Sequence, residues 1–192
     1  MELLEKTIGF ALTGSFCTYR KVIPEIQKLK ATGANVIPIM SEISSSTDTR
    51  FGKASDFINE IEEITENKVI TTIKDAEPIG PKKILDLLIV APCTGNSISK
   101  IANGIADTSV TLAVKAHLRN LRPVVIAVST NDGLSGNAKN IGLLMNRRNI
   151  YFVPFGQDDY KGKENSLVAK MDLIVPTIEN ALEYKQIQPL LV

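Results

Sequence analysis

The chain reads as an α/β protein: a Rossmann-like three-layer αβα sandwich around a mostly parallel sheet of six strands. Three observations predict this. Short runs rich in Val and Ile alternate with helical patterns along all 192 residues. The runs are continuously apolar, as strands are when a parallel sheet is covered on both faces. No linker or internal repeat divides the chain, so residues 1–192 are expected to form one domain, a length that suits one.

Taken in order, the expected strands are Thr7–Thr13, Asn35–Met40, Lys68–Ile73, Leu87–Ala91, Val124–Ser129 and Ile150–Phe155. Helical stripes lie between them. Val22, Ile23, Ile26 and Leu29 share a face, and Gly33 is a plausible stop. Ala54, Phe57, Ile58, Ile61 and Ile64 form the next stripe. Ile98, Ile101, Ala102 and Ile105 form another, and a further helix begins near Thr108. Ile141, Leu144 and Met145 mark one more, and the stretch "TIENALEYK" is the last. Right-handed crossovers then give a doubly wound sheet. Ligands of such sheets sit beyond the carboxyl ends of the strands, where the strand order reverses.

Composition excludes several function classes. The apolar fraction is 44%, the charged fraction 22% and the net charge +1. Nucleic-acid binding usually needs a strong basic excess, which is missing. No apolar run approaches the length of a membrane span, and the acidic start "MELLEK" is wrong for a secretory signal. Cys17 and Cys93 are far apart and in no CxxC spacing, so a cytoplasmic protein with reduced thiols is expected. With one histidine, His117, no His-based metal site is expected. His117 itself reads as a packing or surface residue rather than a base.

The loops after the strands carry the candidate chemistry. After the first strand, "TGSFCTYR" offers Gly14 for close backbone approach, the hydroxyls of Ser15 and Thr18, and the amino end of a helix. The stretch has one glycine, so it is neither a dinucleotide fingerprint nor a P-loop, and an ordinary capped turn would look the same. After the second strand come Ser41, a polar run over residues 44–49, and two cations, Arg50 and Lys53. After the expected fourth strand comes "APCTGNS", with Pro92, Cys93, Thr94, Asn96 and Ser97 before a helix. Neutral donors and free backbone N–H groups suit a phosphate. The chemistry resembles the flavodoxin phosphate loop, but that loop follows a first strand. "STNDGLSGN" contributes Asn131 and Asp132 as possible hydrogen-bonding groups, and "GQDDYKGKENS" reads as a polar flap. Both cysteines lie at strand-to-helix turns, where they read as small buried residues lining a pocket rather than as nucleophiles.

These residues carry a family resemblance. "APCTGNS" followed by "KIANGIAD" resembles the signature of the FMN-binding flavoprotein family, which includes cysteine decarboxylases, phosphopantothenoylcysteine decarboxylase and flavin prenyltransferases. The early "TGS" at residues 13–15 and Ser41 match as well. The resemblance implies FMN as cofactor, held by Gly14, Ser15, Phe16, Ser41, Pro92, Cys93, Thr94, Asn96 and Ser97. Two family features are missing. The stretch "TTIKDAEPIGPKK" lacks the decarboxylases' catalytic histidine, and "AVSTND" keeps only Asn131 of their P-x-M-N segment.

The stretches 129–159, 163–171 and 181–191 resemble one oxidoreductase branch of this family, found in spore-forming bacteria. That branch implies oxidation of a dihydropyridine dicarboxylate to pyridine-2,6-dicarboxylate. It also implies a second, different subunit with a nicotinamide-nucleotide-type Rossmann fold, and a homo-oligomer, either a trimer or a dodecamer. A dicarboxylate needs cations or N–H donors, for which Arg50, Lys53, Arg147 and Asn131 are the candidates. No general base is evident. Two alternatives remain: a non-catalytic FMN-binding or scaffold protein, and a cysteine-decarboxylase-like flavoenzyme.

Overall fold

In the computed structural model, which describes residues 3–192, five parallel strands form the centre of the fold. They are β1 (Thr7–Leu12), β2 (Asn35–Met40), β3 (Leu87–Cys93), β4 (Val124–Thr130) and β5 (Ile150–Phe152), in spatial order β2-β1-β3-β4-β5. β3 is buried along its whole length and β4 along all but its last residue, which explains their unbroken apolar sequence. Two short strands, β6 (Phe155–Gly156) and β7 (Leu167–Ala169), pair antiparallel with each other. β7 also pairs antiparallel with the carboxyl end of β4, through Ser129 and Thr130, completing seven strands.

Helices cover both faces. α1 (Tyr19–Ala31), α3 (Ala54–Thr65) and α8 (Ile174–Leu182) pack on one side. α4 (Ile73–Ala76), α5 (Gly95–Ala102), α6 (Ser109–Arg119) and α7 (Ala138–Met145) pack on the other. A short α2 (Glu42–Ser46) follows β2. One contiguous apolar cluster joins the sheet to both helical layers. No helix among the described residues is long and apolar enough to cross a membrane.

The expected class and layers are present, with four corrections in detail. Lys68–Ile73 is not a strand. Only Ile70 bridges Ile39 at the sheet edge, because the chain turns at Thr72, whose hydroxyl caps α4 by accepting from the Asp75 N–H at 3.1 Å. The run Ile150–Phe155 is interrupted at Pro154, which has no N–H for a ladder. β7 replaces the lost strand and the split at Pro154 adds one more, so the sheet has seven strands rather than six. Ile105 lies outside α5, which stops at Asn103 and Gly104, and is 47% exposed.

Candidate functional site

The strand order reverses direction between β1 and β3, since the chain leaves β1 toward β2 and returns on its other side. A crevice is expected there, beyond the carboxyl ends of the strands. The loop "PCTGNS" therefore follows the third strand, not the fourth, and lies beside the loop after β1.

Hydrogen bonds tie these loops together. The buried Thr13 hydroxyl donates to the Pro92 carbonyl at 2.7 Å and accepts from the Thr94 N–H at 3.0 Å. Above β3, the hydroxyls of Ser15, Thr18 and Ser129 form a triangle with edges of 2.8, 3.0 and 3.0 Å, joining the β1 loop to the end of β4. Tyr19 donates to the Thr13 carbonyl from below, at 3.1 Å, and burial pushes its phenol up to about 12. Thr94 caps α5 through the Ser97 N–H at 3.4 Å. The N–H groups of Gly95 and Asn96, the first two residues of α5, have no acceptor within their helix.

These loops enclose a cleft of about 850 Å³. One wall holds Gly14, Ser15, Phe16 and Thr18 from β1 and its turn. The floor is Thr94, Gly95 and Asn96, and the opposite wall is residues 129–132. Lys21, Phe51, Asp158, Lys163, Ser166 and Val168 close the rim. The β1 and β3 loops offer neutral hydroxyls, an amide and backbone N–H groups at helix starts, with no carboxylate among them. That donor set suits a phosphate ester. Phe16, Phe51 and Val168 add apolar surface for a planar ring system.

The structure brings Gly14, Ser15, Phe16, Thr94, Asn96 and Asn131 to this cleft. Pro92 and Cys93 lie just beneath it, buried within β3, and burial raises the Cys93 thiol well above its ordinary value. Ser97 is buried behind Thr94, with its hydroxyl 3.1 Å from the Thr94 hydroxyl. Ser41 stands at the end of β2 and caps α2 through the Ser44 N–H, away from the cleft lining. Arg50 and Lys53 are exposed and do not line the cleft; the Arg50 guanidinium stacks 4.9 Å from the centre of the Phe51 ring. Arg147 lies in a groove between α5, α6 and α7, and also misses the cleft.

Asp132 is held by the Asn137 side-chain amide at 2.8 Å and by the Thr130 hydroxyl, so it organises its own turn. Cys17 is exposed at the cleft, not buried as expected. His117 is buried at the far end of the sheet. Burial, then the Arg122 charge, lowers its pKa to about 4.

The cations that do reach the cleft, Lys21 and Lys163, are not among the sequence candidates. Lys21 is the third residue of α1, where spacing cannot distinguish it from a solvated helix residue. Lys163 reaches the rim only because β7 folds the loop after β6 back toward β4.

The match to known proteins covers nearly the whole chain. Residues 1–179 match the model of a family described as Flavoprotein. The B subunit of dipicolinate synthase from Bacillus subtilis is 51% identical over 191 residues, spanning 100% of this chain and 96% of that protein. The crystal structure of the B subunit of dipicolinate synthase from Bacillus halodurans is 48% identical, with a TM-score of 0.92 over 100% of this chain and 98% of that one. The FMN-dependent cysteine decarboxylase SpaF, 23% identical, has a TM-score of 0.68 over 94% of this chain and 97% of that one, a likeness of fold alone.

Proposed function

The chain belongs to the Flavoprotein family, and from that premise we propose that it binds FMN in the cleft at the ends of β1, β3 and β4. The observation that carries this reading is the neutral donor set at the strand-order reversal: Ser15, Thr94, Asn96 and the first-turn N–H groups of α5. These residues would hold the phosphate and the polar chain of the cofactor, while Phe16, Phe51 and Val168 would flank its ring. Bound there, the flavin would supply hydride-accepting chemistry; the protein's part is to orient the ring, exclude water and place the substrate.

The finer reading is the flavoprotein component of a dipicolinate synthase. It would oxidise dihydrodipicolinate to pyridine-2,6-dicarboxylate in sporulating cells, in the cytoplasm. It would do so as a homo-oligomer, together with the A subunit of that enzyme. The end-to-end identity to B subunits of dipicolinate synthases supports this reading. So does Lys21, an exposed cation at the rim of the cleft that suits an anionic substrate. The chain carries no histidine near the cleft, which disfavours the cysteine-decarboxylase alternative.

Purified protein should show a flavin absorbance spectrum, or gain one on adding FMN. Mixed with the A subunit, it should convert dihydrodipicolinate to the aromatic product, followed by ultraviolet absorbance. A colourless protein that takes up no FMN sinks the cofactor assignment. Full activity of the A subunit on its own sinks the catalytic role and leaves a scaffold.

A further inference from the structure

α5 packs between α6 and α7 and has only 8 residues, ending at Ala102. The chain then turns at Asn103 and Gly104, whereas α6 runs for 11 residues. Past the end of α5 its two neighbours therefore have no helix between them. A groove of about 420 Å³ occupies that place in the layer.

The groove has an apolar floor and a cationic margin. Ile101, Val114 and Leu118 line it, and Ile105 and Leu121 stand at it 47% and 63% exposed. Lys115 and Arg119 come from α6, one turn apart, and Arg147 and Arg148 from the segment after α7. All four cations are exposed, and none has an ion-pair partner among the described residues. No carboxylate among the described residues lines the groove. The whole chain has a net charge of only +1, so these four cations are a local concentration rather than the general charge of the surface.

Like charges gathered without counter-charge repel one another, and an acidic partner relieves that repulsion. An apolar floor between cations is the complement of a segment whose apolar side chains are flanked by carboxylates. Two other occupants fit less well. A membrane surface is flat, whereas this one is recessed between helices. Another copy of this chain has its acid concentrated on α3 and its cap, where Glu60, Glu62 and Glu66 already pair with Arg20, Lys68 and Lys30.

We propose that this groove docks the A subunit, through a segment of that subunit with apolar side chains between carboxylates. This rests on the two-subunit reading above, and adds where the partner sits and what chemistry it presents. α5 links the groove to the cleft: its first residues, Gly95 and Asn96, floor the cleft, and Ile101 in its last turn lines the groove. A partner seated there touches the helix assigned to the flavin phosphate without entering the cleft.

The test is calorimetric titration of the full chain with purified A subunit, with an FMN titration of the same samples. Affinity for the A subunit should fall steeply with added salt. Arg119→Glu, Arg148→Glu and Leu121→Asp should each weaken it by about tenfold or more, with FMN uptake unchanged. Parent affinity in all three variants, or binding indifferent to salt, overturns the proposal and leaves the two-subunit reading standing. A parent chain that does not bind the A subunit at low salt overturns both. Two further outcomes overturn the proposal alone, each with the A subunit's affinity kept. In one, the variants lower the chain's own sedimentation coefficient, which makes the groove an interface between copies. In the other, they abolish co-sedimentation with phosphatidylglycerol vesicles, which makes it a membrane contact. If a charge reversal does not melt cooperatively, Arg119→Gln and Arg148→Gln decide: each should weaken binding about threefold, and no loss in either overturns the proposal.

Discussion

Asn96 and Ser97 are neighbours in the chain and serve different purposes. Asn96 is exposed at the cleft floor, whereas Ser97 is buried and bonded to Thr94. Asn96→Ala should therefore weaken FMN binding by about tenfold with the melting temperature unchanged, as read by flavin fluorescence and thermal denaturation. Equal FMN affinity in the variant would remove Asn96 from the cofactor site. His117 belongs to stability instead. Its pKa falls from the ordinary 6.5 to about 4 because burial disfavours the imidazolium. A base with a depressed folded pKa contributes stability above its unfolded pKa, and that stability is lost as pH falls from about 6.5 toward 4. The loss amounts to about 3 kcal/mol at the low end. His117→Asn should flatten the dependence of melting temperature on pH across this window, and an unchanged slope would assign acid sensitivity elsewhere.

At the scale of elements, the amino end of α5 is wedged against the loop after β4. A Cβ on Gly95 would come within 2.5 Å of Thr130 Oγ1, 2.6 Å of Asn137 Nδ2 and 2.7 Å of Asp132 Oδ1. The Thr130 hydroxyl and the Asn137 amide donate to the two oxygens of the Asp132 carboxylate, and the Asn140 amide donates to Asn137 at 2.9 Å, so none can retreat alone. Gly95→Ala should cost about 1–3 kcal/mol and lower the melting temperature by several degrees. A melting temperature equal to the parent's would mean the wedge is looser than its geometry. Glycine is thus required here by close approach, which the run "TGNS" does not reveal. The strands are legible to the degree that they are buried: Leu87–Val90 and Val124–Val128 read correctly because both faces are covered. Lys68–Ile73 misleads because an apolar edge segment with one bridge looks like a strand in isolation. β7 escapes notice because three residues carry no period, and only the carboxyl end of β4 makes them a strand.

At the scale of the whole molecule, cofactor binding and folding are linked. A flavin that binds only the folded chain should stabilise it by about 2.7 kcal/mol at a hundred times its dissociation constant. That corresponds to a rise of roughly 5–10 °C for a chain of this size, measured by differential scanning. No rise at saturating FMN would argue against a preformed site. The sequence alone determined the fold class, the order of most elements and the two polar loops that meet at the crevice. Local patterns suffice for these, because burial on both faces and helix capping each leave a short-range mark. Which side chains share a cleft was decided only by the tertiary structure. Lys21, Phe51 and Val168 come from three separate parts of the chain. Such groupings depend on distances between residues far apart in the chain, and no local pattern records them.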